Sequence, residues 1–110
     1  MRILSGYRMM WMMVLYDLPV VTEAERKAAT QFHKYLLDQG FRRGQLSVYL
    51  KHLDSASAEE AQKSRVEQGL PPGGKVDVLV FTDKQYENIT RYERGTRGRR
   101  FKNPAQLELF

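Results

Sequence analysis

The residue best placed for chemistry is Asp17. It closes a run of apolar residues and is followed by Leu18-Pro19. A carboxylate at the carboxyl end of a buried strand stands where ligands often bind in layered folds. The ordinary alternative is a turn aspartate that accepts hydrogen bonds from nearby backbone amides. Magnesium is held by one or two carboxylates together with water and phosphate oxygens. The sequence offers no second acid close to Asp17, so a two-fold axis beside it, bringing in Asp17 of the partner subunit, would complete such a site. A divalent cation (Mg2+) held there activates a water or stabilises a phosphodiester oxygen.

Other chemistries find less support. His33 and His52 lie 19 positions apart, without a ligand partner at helical or strand spacing, and read as solvated or structural. No serine sits in a Gly-x-Ser-x-Gly elbow. Gly95 and Gly98 form a lone G-x-x-G rather than a phosphate cradle. The absence of cysteine excludes a disulfide framework, a thiolate zinc site and a cysteine nucleophile, and fits a reducing, cytoplasmic setting.

Charge adds a second candidate region. The 110 residues carry a net charge of +5, and all of it resides in positions 91–102. Arg91, Arg94, Arg97, Arg99, Arg100 and Lys102 face one acid there, Glu93, while the remainder of the chain balances 12 basic against 12 acidic residues. A local positive block is the footprint of a polyanion, and guanidinium forks suit phosphate oxygens. A solvated tail is the other reading. Two basic pairs, Arg26-Lys27 and Arg42-Arg43, stand apart from this block.

The elements that must position these residues follow from hydrophobic patterning. The length allows one domain that buries roughly two-thirds of its unfolded surface. Residues 1–8 read as an N-terminal extension, since all five methionines fall within the first 13 positions. Residues 9–18 form a buried strand too short for a membrane span. Thr22-Glu23-Ala24-Glu25 is a capping box, and Ala28, Phe32, Tyr35 and Leu36 make the apolar stripe of a helix that Gly40 closes. Residues 41–53 read as a short strand over 41–43, a turn or bulge at Gly44 and a longer strand over 45–53. Ser57-Ala58-Glu59-Glu60 reads as a second capping box, opening a helix that ends at Gly69. Pro71-Pro72-Gly73-Gly74 is a turn. Residues 75–82 are apolar on both faces, which predicts a central strand covered on both sides. Residues 83–88 read as a turn, 89–92 as a short edge strand, and 107–110 as a terminal strand.

The order strand, helix, strand, strand, helix, strand is the β-α-β-β-α-β ferredoxin-like α+β sandwich. Two helices cover only one sheet face. A broad apolar second face exceeds what a soluble monomer tolerates, which predicts a two-fold homodimer through that face.

Tyr16-Asp17-Leu18-Pro19, Arg26 at the start of an amphipathic helix, Gly40-Phe41, Gln45-Leu46-Ser47-Val48-Tyr49 and Val80-Phe81-Thr82-Asp83 together resemble the small ferredoxin-like CRISPR-associated "Cas-two" family. The Asp-Leu-Pro-Val-x-Thr form and the long tail are similar to the variant accompanying type II systems. The resemblance implies a homodimer that bridges the larger integrase subunit across double-stranded DNA during spacer acquisition. It also implies magnesium-dependent endonuclease activity on RNA or DNA. Position by position, Asp17 matches the family's catalytic, metal-binding aspartate. Tyr16 is its neighbour, Arg26 and Arg43 are basic positions, and Tyr49 stands in a Ser-Val-aromatic stretch. The tail residues 106–110 resemble a strand lent to a partner. Arg91, Arg94, Arg97, Arg99 and Arg100 rest on charge alone as nucleic-acid contacts. Two alternatives stay open: a purely architectural DNA-binding subunit without catalysis, and a ferredoxin-like RNA-binding module.

Overall fold

The computed structural model describes residues 9–94. The elements run β1 (Met10–Asp17), α1 (Glu23–Asp38), β2 (Arg42–Gln45), β3 (Val48–Leu53), α2 (Ser57–Gln68), β4 (Lys75–Thr82) and α3 (Asp83–Glu87). The strands form one antiparallel sheet in the order β2-β3-β1-β4. This is the expected α+β, ferredoxin-like arrangement. The N-terminal extension at 1–8, most of the basic block and the strand expected at 107–110 lie outside the described residues.

Strand alternation divides the interior into two layers. Met12 and Val14 of β1 point to the helices, where they meet Phe32 and Leu36 of α1, Val66 of α2, and Tyr49 and Leu53 of β3. Trp11 and Met13 point to the other face, where they meet Leu50, Phe81 and Tyr86. β1 is therefore the strand with two covered faces, paired with β3 on one side and β4 on the other.

Local chemistry sets the ends of α1. Thr22 Oγ1 accepts from the Glu25 amide at 3.1 Å, and Glu25 Oε1 accepts from the Thr22 and Val21 amides, both at 3.0 Å. At the other end Gly40 takes φ 93°, the left-handed conformation that spares glycine a side-chain clash. The Phe41 amide then donates to Leu36 O and the Gly40 amide to Leu37 O, the paired bonds of a Schellman stop.

Five sequence expectations need correction. The break in residues 41–53 falls at Leu46-Ser47, a turn in which Leu46 is 77% exposed. Gly44 sits in a bulge of β2, one of the two forms expected of it, where the register shifts between Arg43 and Gln45. Ser57 does not cap α2: the N-cap is Ala56 with no side-chain bond, and the Ser57 hydroxyl pairs with Ser55 Oγ at 3.0 Å. β4 is an edge strand and not the centre, with Leu79 47% exposed. Its doubly apolar pattern reflects a strand whose open face is left uncovered in one chain. Residues 83–87 are a helix and not a turn, and 89–92 carry no strand. Thr82 and Gln85 form the capping box of that helix, with Thr82 Oγ1 accepting from the Gln85 amide at 3.1 Å and Gln85 Oε1 from the Thr82 amide at 2.9 Å.

α3 covers one end of the face opposite α1 and α2. The Trp11 indole N–H donates to Asp83 Oδ1 at 2.5 Å, the ring of Trp11 stacks on Tyr86 with centroids 4.0 Å apart, and His52 Nε2 reaches the same Asp83 oxygen at 3.2 Å. The second face thus splits into a covered end around Trp11 and an open end around Leu15, Val48 and Leu79.

Candidate functional site

Asp17 is the last residue of β1 and is exposed. By alternation its side chain lies on the open face, beyond Leu15. Its cross-strand partner on β4 is Lys75, and Asp77, which pairs with Leu15, is the diagonal neighbour on that face. Diagonal positions on antiparallel strands stand about 7–8 Å apart. Asp77 is thus a second acid on the same face. Sequence reasoning missed it because only the register brings it near, although it is the one acid in an otherwise apolar strand.

Two neighbours hold this strand end. Gly74 takes φ 91°, and a Cβ built there would stand 2.7 Å from Leu18 Cδ2 and 2.8 Å from Asp17 O. Only glycine lets the Pro71-Pro72-Gly73 loop approach so closely. From the other side, Arg26 Nη1 donates to Val20 O at 3.1 Å and to Val21 O at 2.8 Å. The β1–α1 loop is thereby tied to the first turn of α1.

Tyr16 faces the opposite way, into the helix layer. Its hydroxyl donates to Tyr49 Oη at 3.2 Å, and its ring meets Phe32 edge-on and Tyr49 in a stack. Tyr49 is fully buried, and its hydroxyl also meets His33 Nδ1. The Arg43 guanidinium stands 5.8 Å from the centre of the Tyr49 ring, with Nη2 3.3 Å from Leu46 O. Burial, then the bond to Tyr49, pushes the Tyr16 hydroxyl well above the usual phenol range. Burial, followed by the Arg43 and Lys34 charges, holds His33 below its ordinary value.

Among the described residues no group of three or more His, Cys, Asp or Glu side chains could hold a metal. An exposed carboxylate with a nearby acid is the kind of ligand that magnesium combines with water and phosphate, so Asp17 fits that ion better than it fits zinc.

The family description "CRISPR associated protein Cas2" matches residues 10–89. A protein of Paracidovorax avenae named CRISPR-associated endoribonuclease Cas2 is 50% identical over 107 residues, covering 97% of this chain and 99% of its own. A Rhodospirillum rubrum protein, CRISPR-associated endoribonuclease Cas2 2, is 40% identical over 110 residues, covering 96% and 98%. This chain belongs to the Cas2 family. A solved structure described as the crystal structure of Cas2 shares the fold, with a TM-score of 0.53 at 19% identity over 84% of this chain and 98% of that one.

The residues that the likeness to Cas2 picked out do not form one cluster. Tyr16, Tyr49 and Arg43 gather in the helix layer, while Asp17 occupies the other face of the same strand end. Arg26 spends two bonds on loop carbonyls, so part of its role is structural. Tyr49 has no exposed surface and supports its neighbours. Arg91 is half-buried, and burial lowers its pKa from the usual guanidinium value; Arg94 is exposed. Arg97, Arg99 and Arg100 lie outside the described residues. Sequence reasoning left His33 as a solvated or structural histidine, and the structure gives it a specific partner. The signal was weak: His33 sits one position past Phe32 of the apolar stripe.

Proposed function

We propose that this Cas2 protein is a magnesium-dependent endonuclease of the endoribonuclease type, cleaving RNA or DNA phosphodiesters, that acts in CRISPR spacer acquisition. The observation that carries the reading is Asp17: an exposed carboxylate, fixed at the end of the central strand, on a sheet face that one chain leaves partly bare. In a two-fold homodimer through that face, Asp17 and Asp17 of the partner subunit would hold one Mg2+. The cation supplies a Lewis acid for a phosphate oxygen and lowers the pKa of a bound water. Gly74 and Arg26 keep the Asp17 backbone in place, Lys75 sets positive charge beside it, and Asp77 is available to a water.

The concentration of charge at 91–102 favours a second reading, in which the dimer is an architectural subunit. There it binds double-stranded DNA in the cytoplasm and bridges the larger integrase subunit, which does the chemistry. Cleavage and acquisition assays of Asp17→Ala separate the two. The endonuclease reading expects magnesium-dependent cleavage to vanish. The architectural reading expects acquisition to survive Asp17→Ala and to fail when Arg97, Arg99 and Arg100 become alanine. Purified protein that cleaves neither RNA nor DNA with any divalent ion ends the endonuclease reading.

A further inference from the structure

Three side chains from three elements form one hydrogen-bonded line: Tyr16 on β1, Tyr49 on β3 and His33 on α1. The Tyr16 hydroxyl donates to the Tyr49 oxygen. Two acceptors lie within reach of the buried Tyr49 hydrogen, His33 Nδ1 and the Tyr16 oxygen; with Tyr16 donating to Tyr49, it goes to His33 Nδ1. A buried hydroxyl left without that partner would be costly. The line therefore has a direction, from Tyr16 through Tyr49 to His33, and it requires Nδ1 to be an acceptor. A neutral imidazole with its proton on Nε2 meets that requirement.

Protonation removes the acceptor. The imidazolium carries a hydrogen on both nitrogens, so Nδ1 must then donate to the Tyr49 oxygen. The Tyr49 hydrogen turns to the Tyr16 oxygen, and the Tyr16 hydrogen loses its inward partner. No proton is transferred between the tyrosines; each hydroxyl rotates. The charged groups around His33 are Lys34 on its own helix and Arg43 from β2, both cationic, while Tyr49 and Tyr16 present neutral hydroxyls from β3 and β1. Arg43 also acts electrostatically on Tyr16, so the outer end of the line lies within its field.

We propose that His33 is a positioning residue: its protonation reverses the His33–Tyr49–Tyr16 line and turns the Tyr16 hydroxyl into an outward donor, beside Arg43, for a nucleic-acid phosphate oxygen. The reversal stands on the geometry of this chain alone, and the phosphate at its outer end rests on the function proposed above. In acid, Tyr16, Arg43 and protonated His33 act together on one anion. In mild alkali, Tyr16 is turned inward and Arg43 acts without it.

The experiment has two arms on the full chain. In the first, NMR of isotope-labelled protein follows the His33 nitrogens and the Tyr16 and Tyr49 ring carbons from about pH 8 to about pH 5. The expected result is the Nε2–H tautomer at the alkaline end, and tyrosine signals that move with the His33 midpoint in wild type but not in His33→Gln. An Nδ1–H tautomer in alkali, or tyrosine signals indifferent to His33, overturns the proposal. In the second arm, anisotropy measures the affinity for a fluorescein-labelled duplex DNA across the same range. Wild type gains affinity through the His33 midpoint, by roughly threefold to tenfold, as one charge-assisted bond would give. Tyr16→Phe loses that step whatever its affinity in alkali. A step that persists in Tyr16→Phe reduces His33 to a bulk charge and overturns the proposal. Absence of all duplex binding by wild type removes the phosphate acceptor and the function it rests on, while the first arm still decides the reversal.

Discussion

Asp17 can act only if the strand end holds still, and at the scale of single residues that task falls to Gly74 and Arg26. Gly74→Val places a Cβ against Leu18 and the Asp17 carbonyl at a positive φ. It is expected to cost about 1–3 kcal/mol in denaturant melts and to lower cleavage by roughly tenfold or more, since small misplacements are expensive. His33 yields a prediction that needs no substrate. Its folded pKa lies below the unfolded one, so the stability it lends is fully present above about pH 6.5 and is lost as pH falls through the folded value. Thermal melts of wild type should therefore drop more steeply in acid than those of His33→Gln. The position of Asp17 was legible in the sequence, because an apolar run ending in Asp-Leu-Pro marks a strand end. Asp77 and the partner of His33 were not, because both depend on which strands lie side by side.

At the scale of elements, the same local grammar held twice and failed once. Thr22-x-x-Glu25 and Thr82-x-x-Gln85 both cap helices, and only the first was anticipated, because α3 is a single turn with little periodicity to announce it. Ser57-x-x-Glu60 has the same form, yet its hydroxyl found Ser55 and no cap resulted. α3 matters because it closes one end of the second sheet face through Trp11, Asp83 and Tyr86. Trp11→Ala should cost about 3–5 kcal/mol by removing a buried indole, and Thr82→Ala about 1 kcal/mol by removing the cap. Both are read as a shift of the denaturant midpoint. Thr82→Ala should also speed amide exchange in α3 while leaving that of β1 unchanged.

At the scale of the whole molecule, the ferredoxin-like order was legible from the succession of elements, while the place of β4 was not. A strand apolar on both faces reads as central, yet here it lies at the edge with its open face bare. That bare face is the basis for the proposed dimer, and sedimentation should find a two-fold species whose dissociation constant rises when Leu79 is changed to Lys. None of the described helices is long and apolar enough to cross a membrane. If about five arginines per subunit meet phosphates, duplex affinity should fall with salt at a log–log slope of about −4 to −5 per subunit. A nearly flat dependence would confine the nucleic-acid path to Arg26 and Arg43.

The most direct measurement is a cleavage time course with RNA and with duplex DNA, for wild type and Asp17→Ala, each purified as the dimer, with and without Mg2+. The account predicts cleavage by wild type only with Mg2+, and a rate lower by roughly a hundredfold or more in Asp17→Ala at unchanged dimer content. Equal rates in the two proteins, or cleavage indifferent to Mg2+, would contradict it.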